Sequence, residues 1–519
     1  VKLRLGTFLA AFATAGAAHA TGFQDAGQDL KPRAKTEVEV SGYFRTRTEV
    51  LSNLDLDRGL TPSGQAPFPV PDSKTQNIPY GDLRLRTDVT MYTGGGAIAV
   101  KGRFDILDNV AMGGAPVGVP SASQTQRTTG EQVFAVKRVY GEVALPIGLL
   151  AAGRMGAHWG LGMLANGGDC LDCDSGDAQD RLAFISPLLG HILAAAYDLG
   201  WSGPLTTRSD GVRRIAIAPS TQVRGVTFAL LRWNDDFTHD RRRRADKSTV
   251  NYGLTLSHRW QSGDAPYEYL PVSGQKPDTT IMSRGFRATV VDAWLRLVFP
   301  HGRIEVEGAG IVGTVDQPSL VPGVLSNLPA TSKQLGLAVQ TELGAPRDHV
   351  GAGLDFGYAS GDSAPGFGAS TNPLAPVPVE GDLEGAQASF PYDRTIDNFR
   401  FHPDYRVDRI LFREIIGTVT DAMYLRPHAR VDLMSIRTGR LTASVAGVAS
   451  WAAQASSTPS GKAGLGVELD PTVSYQSSDG FSFALEYAAF LPGAAFDNAQ
   501  AGLAARPAQL FRVRLGLKF

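Results

Sequence analysis

Read along its length, the chain alternates apolar and polar side chains over segments of about ten residues, the period of a β-strand with one oily and one wet face. The last segment is the clearest: Phe511, Val513, Leu515, Leu517 and Phe519 alternate with Arg512, Arg514, Gly516 and Lys518. Leu83, Leu85, Val89 and Met91 alternate with Arg84, Arg86 and Asp88, and Ile304 and Val306 with Arg303, Glu305 and Glu307. Leu465, Val467 and Leu469 flank Glu468, and Phe481, Phe483, Leu485 and Tyr487 stand against Ser482 and Glu486. Helical periodicity is hard to find.

Turn signals punctuate these segments unevenly. Tight connections fall at Gly94-Gly95-Gly96, Pro146-Ile147-Gly148, Pro300-His301-Gly302, Ala345-Pro346-Arg347, Arg437-Thr438-Gly439 and Ser477 to Gly480. Long ones run through Ser52 to Tyr80, Asn109 to Gly130, Gly156 to Pro187, Thr314 to Ser332, Gly361 to Gly417 and Pro492 to Pro507. A soluble sandwich has connections of similar length at both ends. A short-then-long rhythm is that of an all-β, antiparallel, up-and-down transmembrane barrel with short periplasmic turns and long extracellular loops.

Strand direction follows from the tight turns, since a strand entering one points down. The strands ending before Trp201 and before Pro300 both read as downward, so an odd number lies between them. Val223 to Trp233 and Val250 to Trp260 supply two, and Arg213 to Ala218 a third. The total is then about eighteen strands, or about sixteen if two of those three are loop.

The first twenty residues change the picture by giving a destination. Lys2 and Arg4 precede an apolar run from Leu5 to Ala15, and Ala18-His19-Ala20 offers small residues around a cleavage point, the pattern of an export signal. The run is about half of the roughly 20 residues a helical span needs, and no later stretch is uniformly apolar for long enough. A helical membrane protein is excluded. The expected organisation is a signal peptide over 1–20, a flexible lead-in over 21–35, and one barrel domain over 36–519.

A strand that ends the chain on an aromatic residue resembles the C-terminal assembly signal of outer-membrane barrels. The resemblance implies that Phe519 is read by barrel-assembly machinery, with outer-membrane lipid and lipopolysaccharide as neighbours. Gly153-Arg154 followed by Trp159-Gly160-Leu161-Gly162 is similar to a family of uncharacterised porin-like proteins, which brings no activity with it.

Net charge names no partner, since 50 basic residues meet 51 acidic ones and mean hydropathy is −0.09. That balance speaks against a chain built to coat nucleic acid. Placement is more informative. Alternation directs Arg45, Arg47, Arg84, Arg86, Lys101, Arg103, Arg512 and Arg514 into the lumen, and closure sets the last strand beside the first. The result is a basic wall of the kind that focuses a field on passing anions. Asp292, Glu305, Glu307, Asp355, Glu468 and Glu486 are the acidic lumen candidates, mostly elsewhere on the circumference. Two readings stand: a tuned anion filter, or the ion pairs of any wet barrel interior.

In general porins the third long loop folds inward and narrows the pore. Here it holds Trp159, Asp169, Asp172, Asp174, Asp177 and Asp180, so an inward fold sets an acidic edge opposite the basic wall. Cys170 and Cys173, the two cysteines of the chain, read as a small disulfide in an oxidising compartment. Asp172, Asp174 and Asp177 around Gly176 also suggest a calcium loop, although the terminal Glu of the twelve-position pattern is missing. The plainer reading is a solvated acidic loop without a cofactor.

Arg241 to Arg244 is the densest basic run; it reads as a solvated periplasmic connection or as a contact for lipid phosphates. Gly361 to Gly417, with Phe399, Phe401, His402, Tyr405 and Arg406, is long enough to serve as a lid. Among nine histidines, His158, His191, His402 and His428 are scattered, and no GxSxG, HExxH or phosphate-binding glycine loop accompanies Ser186. The favoured function is passive diffusion of small polar solutes, with anion preference. A plugged barrel serving as adhesin, surface platform or motility or secretion anchor is the alternative, and an outer-membrane enzyme the second.

Overall fold

The computed structural model describes residues 22–23, 26–27, 29–31, 34–64, 76–112, 134–200, 219–264, 282–319, 328–346, 348–369, 377–389 and 392–519. Residues 1–20, the expected signal peptide, lie outside this set. Eighteen antiparallel strands form one closed sheet. They are β1 (Glu37–Ser52), β2 (Asn77–Tyr92), β3 (Ile98–Ala111), β4 (Phe134–Leu145), β5 (Gly148–Gly156) and β6 (Ala178–Leu188). Next come β7 (His191–Gly200), β8 (Val223–Arg232), β9 (Thr249–Asp264), β10 (Met282–Phe299), β11 (Gly302–Val315) and β12 (Ala330–Leu343). The circle is completed by β13 (Val350–Ala359), β14 (Ala422–Ile436), β15 (Gly439–Ala452), β16 (Gly464–Ser477), β17 (Phe481–Pro492) and β18 (Ala508–Lys518).

Each strand pairs with its sequence neighbours, and β1 pairs with β18 to seal the sheet, with Arg47 opposite Arg514 and Val50 opposite Phe511. The last residue takes part in the seal: Gly42 N donates to Phe519 O at 3.0 Å and Phe519 N to Gly42 O at 3.1 Å. Along β18, Phe511 and Leu517 are exposed on the outside while Arg512 is fully buried within. Alternation thus separates two environments, and closure leaves no unpaired edge, the condition for backbone to cross hydrocarbon without orphaned polar groups.

The strand count agrees with expectation by a different route. Leu189 (φ 51°) and Gly190 (φ 77°) make a two-residue turn between β6 and β7, so β7 rises where the sequence reading had it descending. The stretch Gly156 to Pro187, read as all loop, ends in β6. A turn with both central residues at positive φ normally announces itself as Asn-Gly or Asp-Gly. An exposed leucine in that position carries no such signal. β7 pairs directly with β8, Gly200 opposite Val223, and Arg213–Ala218 lies outside the described residues.

A second departure is Leu465. Ser450 pairs with Gly466 and Trp451 with Gly464, so Leu465 is an extra residue whose side chain turns inward to full burial. Gly466, at φ 130°, supplies the bend.

The larger departure is inside. A water-filled barrel needs no apolar core, yet one fills much of this lumen: Phe399, Phe401, Ile410, Leu411 and Phe412 from residues 360–421 pack against Ala309, Ala338, Tyr424, Val448, Phe490 and Leu510 of the wall. Inward glycines make the seats, because the Phe399 ring occupies the place of a Cβ on Gly336 and the Trp159 ring that of a Cβ on Gly253. The described residues of the segment expected as a lid form a folded plug. Described residues of the lead-in, expected to be flexible, also sit inside: Phe23 lies under the Arg181 guanidinium, and Asp29 accepts from Lys101 Nζ at 2.9 Å.

Candidate pore constriction

The inserted loop, residues 157–177 between β5 and β6, is held by the basic wall itself. Arg45 donates to the carbonyls of Leu171 and Cys173 at 3.0 Å each, and Arg84 to those of Cys173 and Asp174 at 2.6 Å each. Arg86 reaches Gly168 O at 2.5 Å, and Arg138 reaches Gly167 O. The loop's carboxylates complete the clamp. Asp174 meets Arg47 at 2.8 Å, Arg406 at 2.7 Å, Arg413 at 3.2 Å and Arg45 at 3.3 Å, while Asp172 meets Arg413 at 2.6 Å and Arg47 at 3.1 Å. Asp169 pairs with Arg103 and with Arg138. Cys170 and Cys173 are joined in a disulfide at the tip.

Burial alone would raise these loop carboxyls, but the guanidinium groups win. Arg138 and Arg103 hold Asp169 at about 2. Asp172 is held far below the ordinary range, against burial, by Arg413, Arg514, Arg512 and Arg47, and Asp174 by Arg47, Arg413, Arg406 and Arg45.

The expected picture of an acidic edge facing a basic wall across water is therefore corrected to direct contact. The wall also has partners within the sheet. Asp82 takes Arg45 at 2.9 Å and Arg47 at 2.7 Å; Asp105 takes Arg86 at 2.7 Å; Asp108 takes Arg84 at 2.9 Å; Glu49 takes Arg512 at 2.6 Å. Lys101 meets Glu142 at 3.0 Å, and Arg514 meets Glu486 at 3.1 Å, so Glu486 adjoins the wall. Parity could have found Asp82, Asp105 and Glu49, which share a face with the arginines that the alternation placed. Arg406 and Arg413 sit in the plug, where no period points.

Two of the acidic candidates are anchors. Glu307 accepts the backbone N–H of Leu161 at 2.5 Å and of Met163 and Leu164 at 3.4 Å. Glu468 accepts those of Arg409, Ile410 and Leu411 at 2.9, 2.8 and 2.9 Å, capping the single π turn Leu411–Ile415. Each gives a loop's orphaned donors a carboxyl acceptor in a buried setting. Asp404 of the plug joins the two loops, accepting from Asp174 N at 2.7 Å and Ser175 N at 3.0 Å. Glu305 takes Trp294 Nε1 and Arg296 at 2.9 Å; Asp355 takes Arg426 at 2.7 Å; Asp292 is buried on the inward face of β10.

Asp177 stands apart from Asp172 and Asp174, accepting Asn166 N at 3.3 Å, so the three aspartates of the calcium reading do not converge. Among the described residues no group of three His, Cys, Asp or Glu could hold a metal ion. Nor do the scattered histidines meet Ser186. The serine donates to Ile147 O at 2.7 Å, His191 bonds Tyr252 at 2.6 Å, and His428 lies 3.4 Å from Asp355.

Two wet regions flank the constriction. At the short-turn end a cavity of about 1560 Å³ is lined by Arg303, Arg430, Asp432 and Arg440 of the wall and closed above by Trp159, Cys170 and Cys173. Arg243 and Arg244, from the basic run in α1 (Asp236–Arg244), border it too. At the long-loop end Arg259 points inward, opposite Gly225 and Ala288, yet is exposed, donating only a 3.5 Å bond to Gln179. Water reaches the lumen wall there.

A sealed sheet with an apolar band outside and most of its charged side chains turned inward is built to cross a membrane. The chain is an 18-stranded transmembrane β-barrel.

Compared with known families and with curated proteins, the chain has no match. Among solved structures, the barrel is similar to OccAB1 of Acinetobacter baumannii, at TM-score 0.48 and 10% identity over 95% of this chain and 99% of that one. OpdK of Pseudomonas aeruginosa follows at TM-score 0.45 and 10% identity over 93% and 98%. DcaP, an outer-membrane channel of A. baumannii, has TM-score 0.35 and 11% identity over 94% and 99%. Likeness at this level is silent on any solute.

Proposed function

We propose that this barrel is a narrow diffusion channel for small polar solutes. The observation that carries the reading is water-accessible lumen on both sides of a constriction: the cavity at the short-turn end and the exposed, inward-pointing Arg259 at the other. A barrel kept only as a surface scaffold has no need of a polar vestibule ending on a clamped loop. The second reading, a plugged platform, has its own support in the apolar core that Phe399, Phe401, Ile410, Leu411 and Phe412 build inside the lumen. An enzymatic reading through Ser186 lacks its base, since that hydroxyl donates to Ile147 O at 2.7 Å.

Anion preference shifts its footing. The basic wall is buried at Arg45, Arg47, Arg84, Arg86 and Arg512, only partly exposed at Lys101, Arg103 and Arg514, and matched by carboxylates, so its field on a passing ion is small, and selectivity falls to groups in contact with water. Planar-bilayer conductance of the purified protein tests both points. A small, steady unitary current with mild anion preference is expected, and Arg259→Glu should turn that preference toward cations. Absence of current from protein that migrates as folded barrel favours the platform instead, and unchanged selectivity in Arg259→Glu removes the role given to that residue.

A further inference from the structure

Three neighbouring short turns end on large apolar side chains. Ile147, between β4 and β5, is 72% exposed; Leu189, between β6 and β7, is 90% exposed; and Phe237 of α1, between β8 and β9, is 71% exposed. The other short turns are built from glycine, alanine, proline and polar residues: Thr93 to Ala97, Pro300 and His301, Gly344 to His349, Arg437 and Thr438, and Ser478 to Gly480. Hydrogen bonds tie the three apolar turns together. Ser186 Oγ donates to Ile147 O at 2.7 Å, and Tyr252 of β9 reaches past β8 to His191 of β7, with 2.6 Å between hydroxyl and ring nitrogen. Arg232, the last residue of β8, points outward beside Tyr252, its neighbour across the ladder. Helix α1 has two faces. Asp236, His239, Asp240 and Arg243 border the vestibule, while Phe237 and Arg241, one turn apart, lie on the other side with the Arg241 guanidinium 5.9 Å from the Phe237 ring centre. Among the described residues neither Arg232 nor Arg241 has a carboxylate partner.

Single apolar side chains on a surface are ordinary, but three on linked turns mark a contact. Lipid is the occupant that the surroundings favour, because the patch continues the lipid-facing rows: Leu188, Leu193, Leu230 and Leu254 stand outward on β6 to β9 directly above it. A guanidinium at the edge of hydrocarbon is costly unless it meets an anionic headgroup. A tyrosine at that edge keeps its ring in the oily layer and its hydroxyl in the wet one. We propose that the short-turn rim of β6 to β9 is a site for an anionic phospholipid, with Arg232 and Arg241 taking phosphate oxygens, Tyr252 at the boundary of headgroup and chain, and the leucine rows holding acyl chains. Guanidinium suits this role because its planar fork offers two parallel donors to phosphate. Ile147, Leu189 and Phe237 then lie in the interfacial layer, where their exposure to water ends. The assignment rests on the transmembrane reading and is independent of whether the lumen conducts.

Native mass spectrometry of the full-length protein in detergent, titrated with phosphatidylglycerol, tests it. One retained lipid per barrel is expected, and phosphatidylcholine, whose choline offsets the phosphate charge, should bind about tenfold less tightly. Arg232→Ala combined with Arg241→Ala should weaken retention of phosphatidylglycerol by about tenfold or more, and Arg232→Lys with Arg241→Lys should recover part of it. Lys333→Ala, outward at the long-loop end, should leave retention unchanged. Heat-modifiable migration verifies that each variant is folded. Equal retention of the two lipids, full retention by the double alanine variant, or displacement of the lipid by equimolar inorganic phosphate overturns the assignment. So does a folded native barrel that retains no phospholipid, a result that gives the three turns to a protein partner instead.

Discussion

Asp174→Asn is the sharpest probe of the clamp. The native carboxylate touches four guanidinium groups, of which Arg45 and Arg47 are buried to within 1% and Arg413 to within 4%. Removing its charge strands those cations beside one another. Breaking a buried ion pair costs about 3–5 kcal/mol. The lower end applies because Asp174 retains 28% exposure and Asp172 still compensates part of the charge. About 3 kcal/mol is roughly two powers of ten in the docking equilibrium of residues 157–177. In planar bilayers at pH 7 the steady native current should therefore give way to flicker between a narrow and a wide state, and the loop should become open to protease. Acid should reproduce the effect in the native chain. The Asp174 carboxyl is depressed far below its ordinary 3.8, so its contribution is present above that pH and is lost as pH falls through the folded value. A variant as quiet and as protease-resistant as the native protein at pH 7 would refute the reasoning.

Other perturbations follow from the same structure. Gly336→Val puts side-chain atoms where the Phe399 ring lies; overpacking costs about 1–3 kcal/mol, so the plug should loosen and unitary conductance rise while the barrel stays resistant to detergent until boiled. Deleting Phe519 removes both hydrogen bonds to Gly42 and should lower the yield of heat-modifiable barrel severalfold without changing the conductance of what does fold. Asp408, in the plug, is pushed up to about 7 by burial and by the neighbouring Asp470. Ionising it opposes docking, so the plug should hold best below the ordinary carboxylate pKa and weaken as pH rises through about 7; in Asp408→Asn, conductance should be flat from pH 5 to 9.

The alternation in β18 and β2 was enough to read the barrel, because which face a strand residue takes is a local property of extended backbone and needs no knowledge of distant chain. The inward direction of Arg45, Arg84 and Arg512 was legible for the same reason. Local rules failed where one residue reset the parity, as at Leu465, or where a turn used Leu189 in place of a residue that tolerates positive φ. What the inward residues touch was not legible at all. Arg47 and Asp174 are 127 residues apart, and Glu468 caps a turn 57 residues before it. Those contacts exist only once closure has fixed the diameter and the two loops have folded into the space. Sequence alone determined that one face meets hydrocarbon and the other polar surroundings; the tertiary structure decided that those surroundings are largely other parts of the chain, because a buried arginine is stable only with partners that long-range folding alone can bring to it.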